Sequence, residues 1–260
     1  MKILIIGDVV GRPGRKAVKL LAPILREKFN FDFFIANAEN AAGGSGITIK
    51  TAKELLDAGV DVITTGDHVF KQKEAEQALS DTRIIRPLNY PPEAPGKGWT
   101  IVTSRSGEKI AVVNLLGRTF MKPVDCPFRA ISDVLEEIQK QTKCIFVDIH
   151  AEATSEKIAM GWYLNGKVSA VFGTHTHVQT ADNEILSEGT AYISDLGMTA
   201  AHASILGRKI MPVLEHFKTG LPAKFGVAEK DVRLKGVIID LDEKSGKAKR
   251  IDLVRESIDF

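Results

Sequence analysis

Short, continuously apolar runs alternate along the chain with stretches whose apolar residues recur every three or four positions. "KILIIG" (2–7) opens as a buried strand, and Leu20, Leu21, Ile24 and Leu25 then place a helix over about 14–29. "FDFFIANAEN" supplies a second strand, followed by the glycine-rich "AAGGSG" and a helix around 48–58. "VDVITTGDHVF" is a third strand that runs out into polar residues. Beyond the proline-rich "RPLNYPPEAPGKG" (86–98), "WTIVTS" and "KIAVVNLLG", joined by "RSGE", predict an antiparallel hairpin. A helix over about 128–141 leads into "CIFVDIH", another begins near 153, and "KVSAVFGTHTH" follows. The last third, "GTAYISDLGM" and "DVRLKGVIIDLDEKSGKAKRIDLVRE", reads as mostly antiparallel strands.

Parallel strands early and antiparallel strands late predict an α/β sandwich with mixed sheets. Residues 1–260 show no repeat, low-complexity tract or linker, so one domain is expected. A hydrophobic fraction of 44% and a charged fraction of 26% suit a soluble globular protein. The net charge of +2 gives no electrostatic case for duplex DNA or an anionic membrane surface. No apolar run approaches the roughly 20 residues of a membrane span. "MKILIIGDVVG" reads as a strand and not a signal peptide, because Gly-Asp cuts its apolar stretch short. Cys126 and Cys144 form no CxxC; packing roles and a reducing cytoplasm are expected.

The chemistry collects where the apolar runs end. "KILIIG" ends in Asp8, "FFIANA" in Glu39 and Asn40, "VITTG" in Asp67 and His68, "CIFVDI" in His150, and "VSAVFG" in His175 and His177. The carboxyl ends of parallel strands share one sheet edge, where ligands bind in open α/β folds. On an extended segment His175 and His177 would point to the same side. Taken singly, each has a plainer explanation: Asp8 and Asp67 as helix caps, His68 or His150 as satisfied core histidines, "GTHTH" as a solvated polar turn. The set resists that explanation, because four of the six histidines fall at one topological position.

Histidines with carboxylates and an amide, and no thiolate, suit iron, manganese or zinc; an oxygen cage for magnesium or calcium would not need four histidines. Seven ligands exceed one tetrahedral site, and two metals sharing a carboxylate, about 3.5–4 Å apart, fit better. "GDVVGRPG" is not a dinucleotide fingerprint, since its glycines at 7, 11 and 14 miss G-x-G-x-x-G.

In order, "GDVVG", "NAENAAGGSGIT", "GDHVF", "RPLNYP", "LLGRTFM", "DIHAEATSEK", "GTHTHVQTAD" and "SDLGMT" resemble the YmdB family of bacterial calcineurin-like metallophosphoesterases, over about residues 1–240. The resemblance implies a four-layer αββα sandwich with a dinuclear centre that hydrolyses phosphodiesters, 2′,3′-cyclic nucleotides being the substrate class. It implies that Asp8, Glu39, Asn40 and His177 hold one metal, with Glu39 bridging to a second held by position 67, His150 and His175. His68 would be the proton donor to the leaving ribose oxygen while hydroxide on the metals attacks phosphorus. Two iron or manganese ions are expected, with zinc or magnesium as alternatives, in a cytoplasmic enzyme that could be a homo-oligomer.

This chain departs from the family at Asp67, where asparagine is usual; the carboxylate can still ligate but adds a negative charge. Arg118 and Thr119 are candidate contacts for a substrate phosphate, with a purely structural loop as the alternative. Arg12 and Arg15 read as solvated charges near the first helix, and His202 and His216 lie outside the strand-end pattern. Two rival readings stay open: a capsule-biosynthesis-type metallophosphoesterase relative, and a regulatory nucleotide sensor with a low-turnover metal site.

Overall fold

The computed structural model describes residues 1–258. Its elements in order are β1 (Lys2–Ile6), β2 (Asp8–Val9), α1 (Gly11–Phe29), β3 (Phe33–Asn37), α2 (Ile49–Asp57), β4 (Val62–Thr64), a 3-10 turn (Val69–Lys71) and the short α3 (Ala75–Ala78). Then come β5 (Trp99–Thr103), β6 (Lys109–Leu116), α4 (Pro127–Gln139), β7 (Cys144–His150), α5 (Thr154–Leu164) and β8 (Ala170–Thr174). The chain closes with β9 (Glu184–Ile185), β10 (Ala191–Ile193), β11 (Met198–Ala201), α6 (Ile210–Thr219), β12 (Val232–Leu241) and β13 (Ala248–Ile258).

Two mixed sheets form. One runs β2–β11–β12–β1–β3–β4, with β13 paired to β12; the other runs β5–β6–β7–β8–β10–β9. The two-residue alternation of the strands sorts the layers. Leu4, Ile6, Phe34 and Ala36 turn toward Val18, Leu21 and Leu25 of α1 and Leu55 of α2. Ile3, Ile5, Phe33 and Ile35 turn the other way and meet Ile110, Val112, Phe146 and Phe172 of the second sheet. That sheet's far face, including Val113, Val147 and Ile149, packs on Ile131 and Ile138 of α4 and Met160 and Leu164 of α5. The result is the αββα sandwich, and burial on both faces is why these strands read as unbroken apolar runs.

Three sequence expectations shift. The first helix starts at Gly11 and not near 14, because Pro13 in an opening turn lacks only an N–H that would find no intrahelical partner anyway. α6 is a helix in the last third, between the two runs read as strands; Val213 is its one buried residue, so it lacks the wide buried stripe that marks a helix. β10 lies parallel to β8 and antiparallel only to β9, while β11 is parallel to β2 and antiparallel to β12. Strand direction there is decided by which distant strand is met. The 99–116 hairpin forms as expected, with Trp99 opposite Val113.

Candidate metal centre

All eight strand-end side chains gather at one edge, where β1, β3, β4, β7 and β8 end. Gly66, which ends the "VITTG" run, passes so close that a Cβ would sit 2.3 Å from both a Glu39 carboxylate oxygen and the His150 ring. Only glycine lets the backbone through. Glu39, Asp67, His150 and His175 each offer a ligand atom, all within 4.8 Å of one another. Beside them, His177 Nε2 lies 3.7 Å from Asp8 Oδ1 and 3.2 Å from Asn40 Nδ2, and Asn40 Nδ2 donates to Glu39 Oε1 at 3.0 Å.

Hydrogen bonds around the histidines decide which ring nitrogens face inward. Asp148, fully buried, accepts from Thr64 Oγ1 and, at 2.7 Å, from Thr174 Oγ1. With its proton committed to Asp148, Thr174 Oγ1 can only accept from His150 Nδ1, 2.8 Å away. Nδ1 of His150 therefore carries hydrogen and Nε2, when neutral, presents a lone pair. Nε2 of His175 lies 3.2 Å from Glu152 Oε2, which draws its hydrogen outward in the same way. The two inward nitrogens, His150 Nε2 and His175 Nδ1, then face each other at 3.1 Å, with Glu39 Oε2 at 3.2 Å and Asp67 Oδ1 at 3.6 Å from His150 Nε2.

Four acceptors converging on one point call for a cation. In the chain alone His150 supplies it: burial opposes its charge, but Glu39, Asp67 and Asp8 outweigh burial and raise its pKa well above the ordinary histidine value. Burial would likewise raise Glu39, yet His150 and His68 drive it well below the carboxylate range. Among the described residues, Oδ1 of Asp8 and Oδ1 of Asp67 are buried without a hydrogen-bond partner. Neither aspartate caps a helix: α1 is preceded by Val10 with no side-chain cap, and Asp8 Oδ2 instead accepts from the His175 backbone N–H at 3.1 Å. Buried, unpartnered carboxylate oxygens among inward lone pairs fit metal ions by donor chemistry.

His68 stands slightly outside. Its Nδ1 lies 3.2 Å from Asn40 Oδ1 and from Glu39 Oε1, its Nε2 is 3.7 Å from Asp67 Oδ2, and its backbone N–H donates to Glu39 Oε2. The hydrogen bond to Glu39 outweighs burial and raises the pKa of His68.

The expectation for His175 and His177 needs correcting. β8 stops at Thr174, and both histidines adopt left-handed φ, 102° and 64°, so no extended segment aligns them. The peptide between them is clamped instead: Asp195 Oδ2 accepts from the N–H of Thr176 at 3.0 Å and from its hydroxyl at 2.8 Å. Asp195 is neutralised by Lys157 at 2.8 Å, both side chains lying almost wholly out of solvent. Non-glycine residues enter the left-handed region at a cost, and the clamp holds two of them there.

Arg118 and Thr119 are exposed, and their backbone N–H groups donate to the Glu156 carboxylate at 3.0 and 3.3 Å. The Arg118 guanidinium helps lower the thiol pKa of Cys126, after the larger effect of the Arg129 backbone N–H. Arg15 is not a solvated charge: its Nε meets Glu54 at 2.6 Å and its Nη1 bonds the Ala41 carbonyl, tying α1 to α2 and the loop after β3. Arg12 is exposed, as expected. His216 bonds the Leu221 carbonyl at 2.7 Å, and among the described residues His202 Nε2 is buried without a partner; neither belongs to the converging group of Glu39, Asp67, His150 and His175.

Sequence reasoning missed Lys122, whose ammonium donates to the Asp67 carbonyl and lies 3.8 Å from Asp67 Oδ2. It also missed Asp148, Glu152, Lys157 and Asp195 as supports. Their one legible signal was membership of "DIHAEATSEK" and "SDLGMT".

The family model described as YmdB-like protein matches residues 4–254. A Bacillus subtilis (strain 168) protein named 2′,3′-cyclic-nucleotide 2′-phosphodiesterase is 49% identical over 255 residues, covering 98% of this chain and 96% of its own. The crystal structure of a hypothetical protein from Thermus thermophilus superposes with a TM-score of 0.93 at 41% identity, covering 99% of each chain. A crystal structure described as a novel phosphatase of Mycoplasma pneumoniae gives 0.92 at 32% identity, covering 99% of this chain and 93% of that one.

Proposed function

Because the chain belongs to the YmdB-like family, we propose that it is a metal-dependent phosphodiesterase with a dinuclear centre, acting on 2′,3′-cyclic nucleotides. The observation that carries this reading is the convergence of His150 Nε2, His175 Nδ1, Glu39 Oε2 and the unpartnered Asp67 Oδ1, with the unpartnered Asp8 Oδ1 next to it. Asp67, His150 and His175 would hold one iron or manganese ion, and Asp8, His177 and Asn40 the other, with Glu39 between them. Asn40 would turn its amide to offer oxygen. Bound there, the two cations supply Lewis acidity toward phosphoryl oxygens and lower the pKa of coordinated water.

The remaining work falls to the chain. His68, its pKa raised by the hydrogen bond to Glu39, would donate a proton to the departing ribose oxygen. The Asp148–Thr174 pair fixes the ring of His150, and Lys157 with Asp195 fixes the turn that carries His175 and His177. A five-membered cyclic phosphate is strained, which makes it an easier target than an open diester. One domain spanning the chain is the organisation that goes with this reading, and two free thiols support a reducing cytoplasm as its compartment. Among the described residues no helix is long and apolar enough to cross a membrane.

The test pairs elemental analysis with a substrate panel. Protein purified without added metal should carry close to two iron or manganese ions per chain and cleave 2′,3′-cyclic AMP faster than unstrained diesters. No bound metal, together with no activity gained on adding Mn²⁺ or Fe²⁺, overturns the reading.

A further inference from the structure

Phe120 is 89% exposed and adopts a left-handed φ of 61°. A bulky residue there costs both backbone strain and an apolar ring left in water, so its placement needs a reason outside the fold. Its loop begins and ends at the centre. The N–H of Gly117 donates to the His150 carbonyl at 2.9 Å, and the ammonium of Lys122 returns to Asp67. The Glu156 carboxylate, in the first turn of α5, grips the backbone N–H groups of Arg118 and Thr119 and makes the loop's base rigid. Phe120 lies two residues from Lys122, so its Cα stands within about 7 Å of that residue's Cα.

The side chain of Lys122 is half-exposed, and its ammonium stands beside Asp67 at the edge of the centre. An aromatic face and a cation two residues apart, at the rim of a site for phosphate esters, match the two parts of a nucleotide. We infer that residues 117–122 form the nucleotide-recognition arm of the site, with Phe120 stacking on the base and Lys122 contacting the phosphate. The inference rests on the phosphodiesterase reading and adds the group that tells a nucleotide from any other phosphate ester. It also reassigns the "GRTFM" motif: Arg118 and Thr119 serve through their backbone, and the recognising side chain is the next one.

The two residues have different signatures in binding. Calorimetry on Mn²⁺-loaded protein would compare adenosine 3′-monophosphate with inorganic phosphate. Phe120→Ala should weaken the nucleotide on the order of tenfold, the scale of one base–aromatic stack, and leave inorganic phosphate as it was. Phe120→Trp should restore the nucleotide affinity. Lys122→Ala should weaken both ligands by a similar factor while elemental analysis finds the metal content intact. Equal effects of Phe120→Ala on the two ligands, or a wild-type protein that binds the nucleotide no better than phosphate, would overturn the arm. Loss of metal from Lys122→Ala would remove the lysine from it. Turnover of 2′,3′-cyclic AMP is measured separately, and its absence sinks the phosphodiesterase reading while the binding comparison still decides Phe120.

Discussion

The ammonium of Lys157 lies 2.8 Å from the Asp195 carboxylate, with 0% and 1% of the two side chains exposed. One oxygen of that carboxylate also holds Thr176, between the two histidines of "GTHTH". Removing one partner of a buried pair leaves an uncompensated charge, which costs about 3–5 kcal/mol. Lys157→Met should therefore lower stability by about that amount in urea unfolding and weaken Mn²⁺ binding. The double variant Lys157→Met/Asp195→Asn should recover most of the stability. Mn²⁺ affinity unchanged in the single variant would show that the clamp does not position the histidines.

Asp67 tests the charge of the centre. Asp67→Asn keeps the side chain's shape and removes one negative charge beside His150 and His175. Metal affinity should fall at least about tenfold, the scale on which even outer partners of a metal matter. With less negative charge on the cations, the pH at which activity rises should move to lower values. Identical affinities and superimposable pH–rate profiles would take Asp67 off the ligand set.

His68 touches Glu39 and Asn40 but stands outside the converging lone pairs. His68→Ala should keep the metals and lose about 10²–10⁴-fold in turnover of a diester with a poor leaving group. A nitrophenyl diester, whose leaving group needs no proton, should suffer far less. Metal lost in proportion to activity would make His68 a ligand.

Asp148 gives a pH dependence of stability. Burial pushes its carboxyl up to about 6, against the pull of His150 and of its hydroxyl and amide donors. An unfolded aspartate titrates near 3.9, so between those values the folded protein binds more protons than the unfolded chain. Unfolding free energy should then fall as pH rises through that window, by about 3 kcal/mol in total, and stay flat above it. Urea titrations of metal-free wild type and Asp148→Asn at pH 4 to 7 would isolate this component as their difference. A difference independent of pH would mean that the carboxyl titrates normally.

Most of the centre was legible in the chain, for a reason rooted in strand geometry. A strand buried on both faces is apolar along most of its length, so the polar residues that follow "KILII" or "CIFVDI" mark its end. Parallel pairing aligns the ends of β1, β3 and β4 in one sheet and of β7 and β8 in the other. The packing of the two sheets face to face brings Asp8, Glu39 and Asp67 against His150 and His175. The supports were not legible. Lys157 lies on α5 in a sequence that looks like a solvated helix face, and only folding brings it against Asp195, 38 residues away. Asp148 sits inside an apolar run, where nothing local says that Thr64 and Thr174 will partner it.

By itself, then, the sequence determined where the buried strands end and which polar residues stand at those ends, because an apolar run and the residue that stops it are local features of the chain. Tertiary structure alone decided how those residues are aimed. The direction of β10, the left-handed backbone at His175 and His177 and the exposure of Phe120 depend on hydrogen bonds between segments far apart in the chain. The orientation of a loop residue is set by such long-range contacts, which no local pattern of apolar and polar positions records.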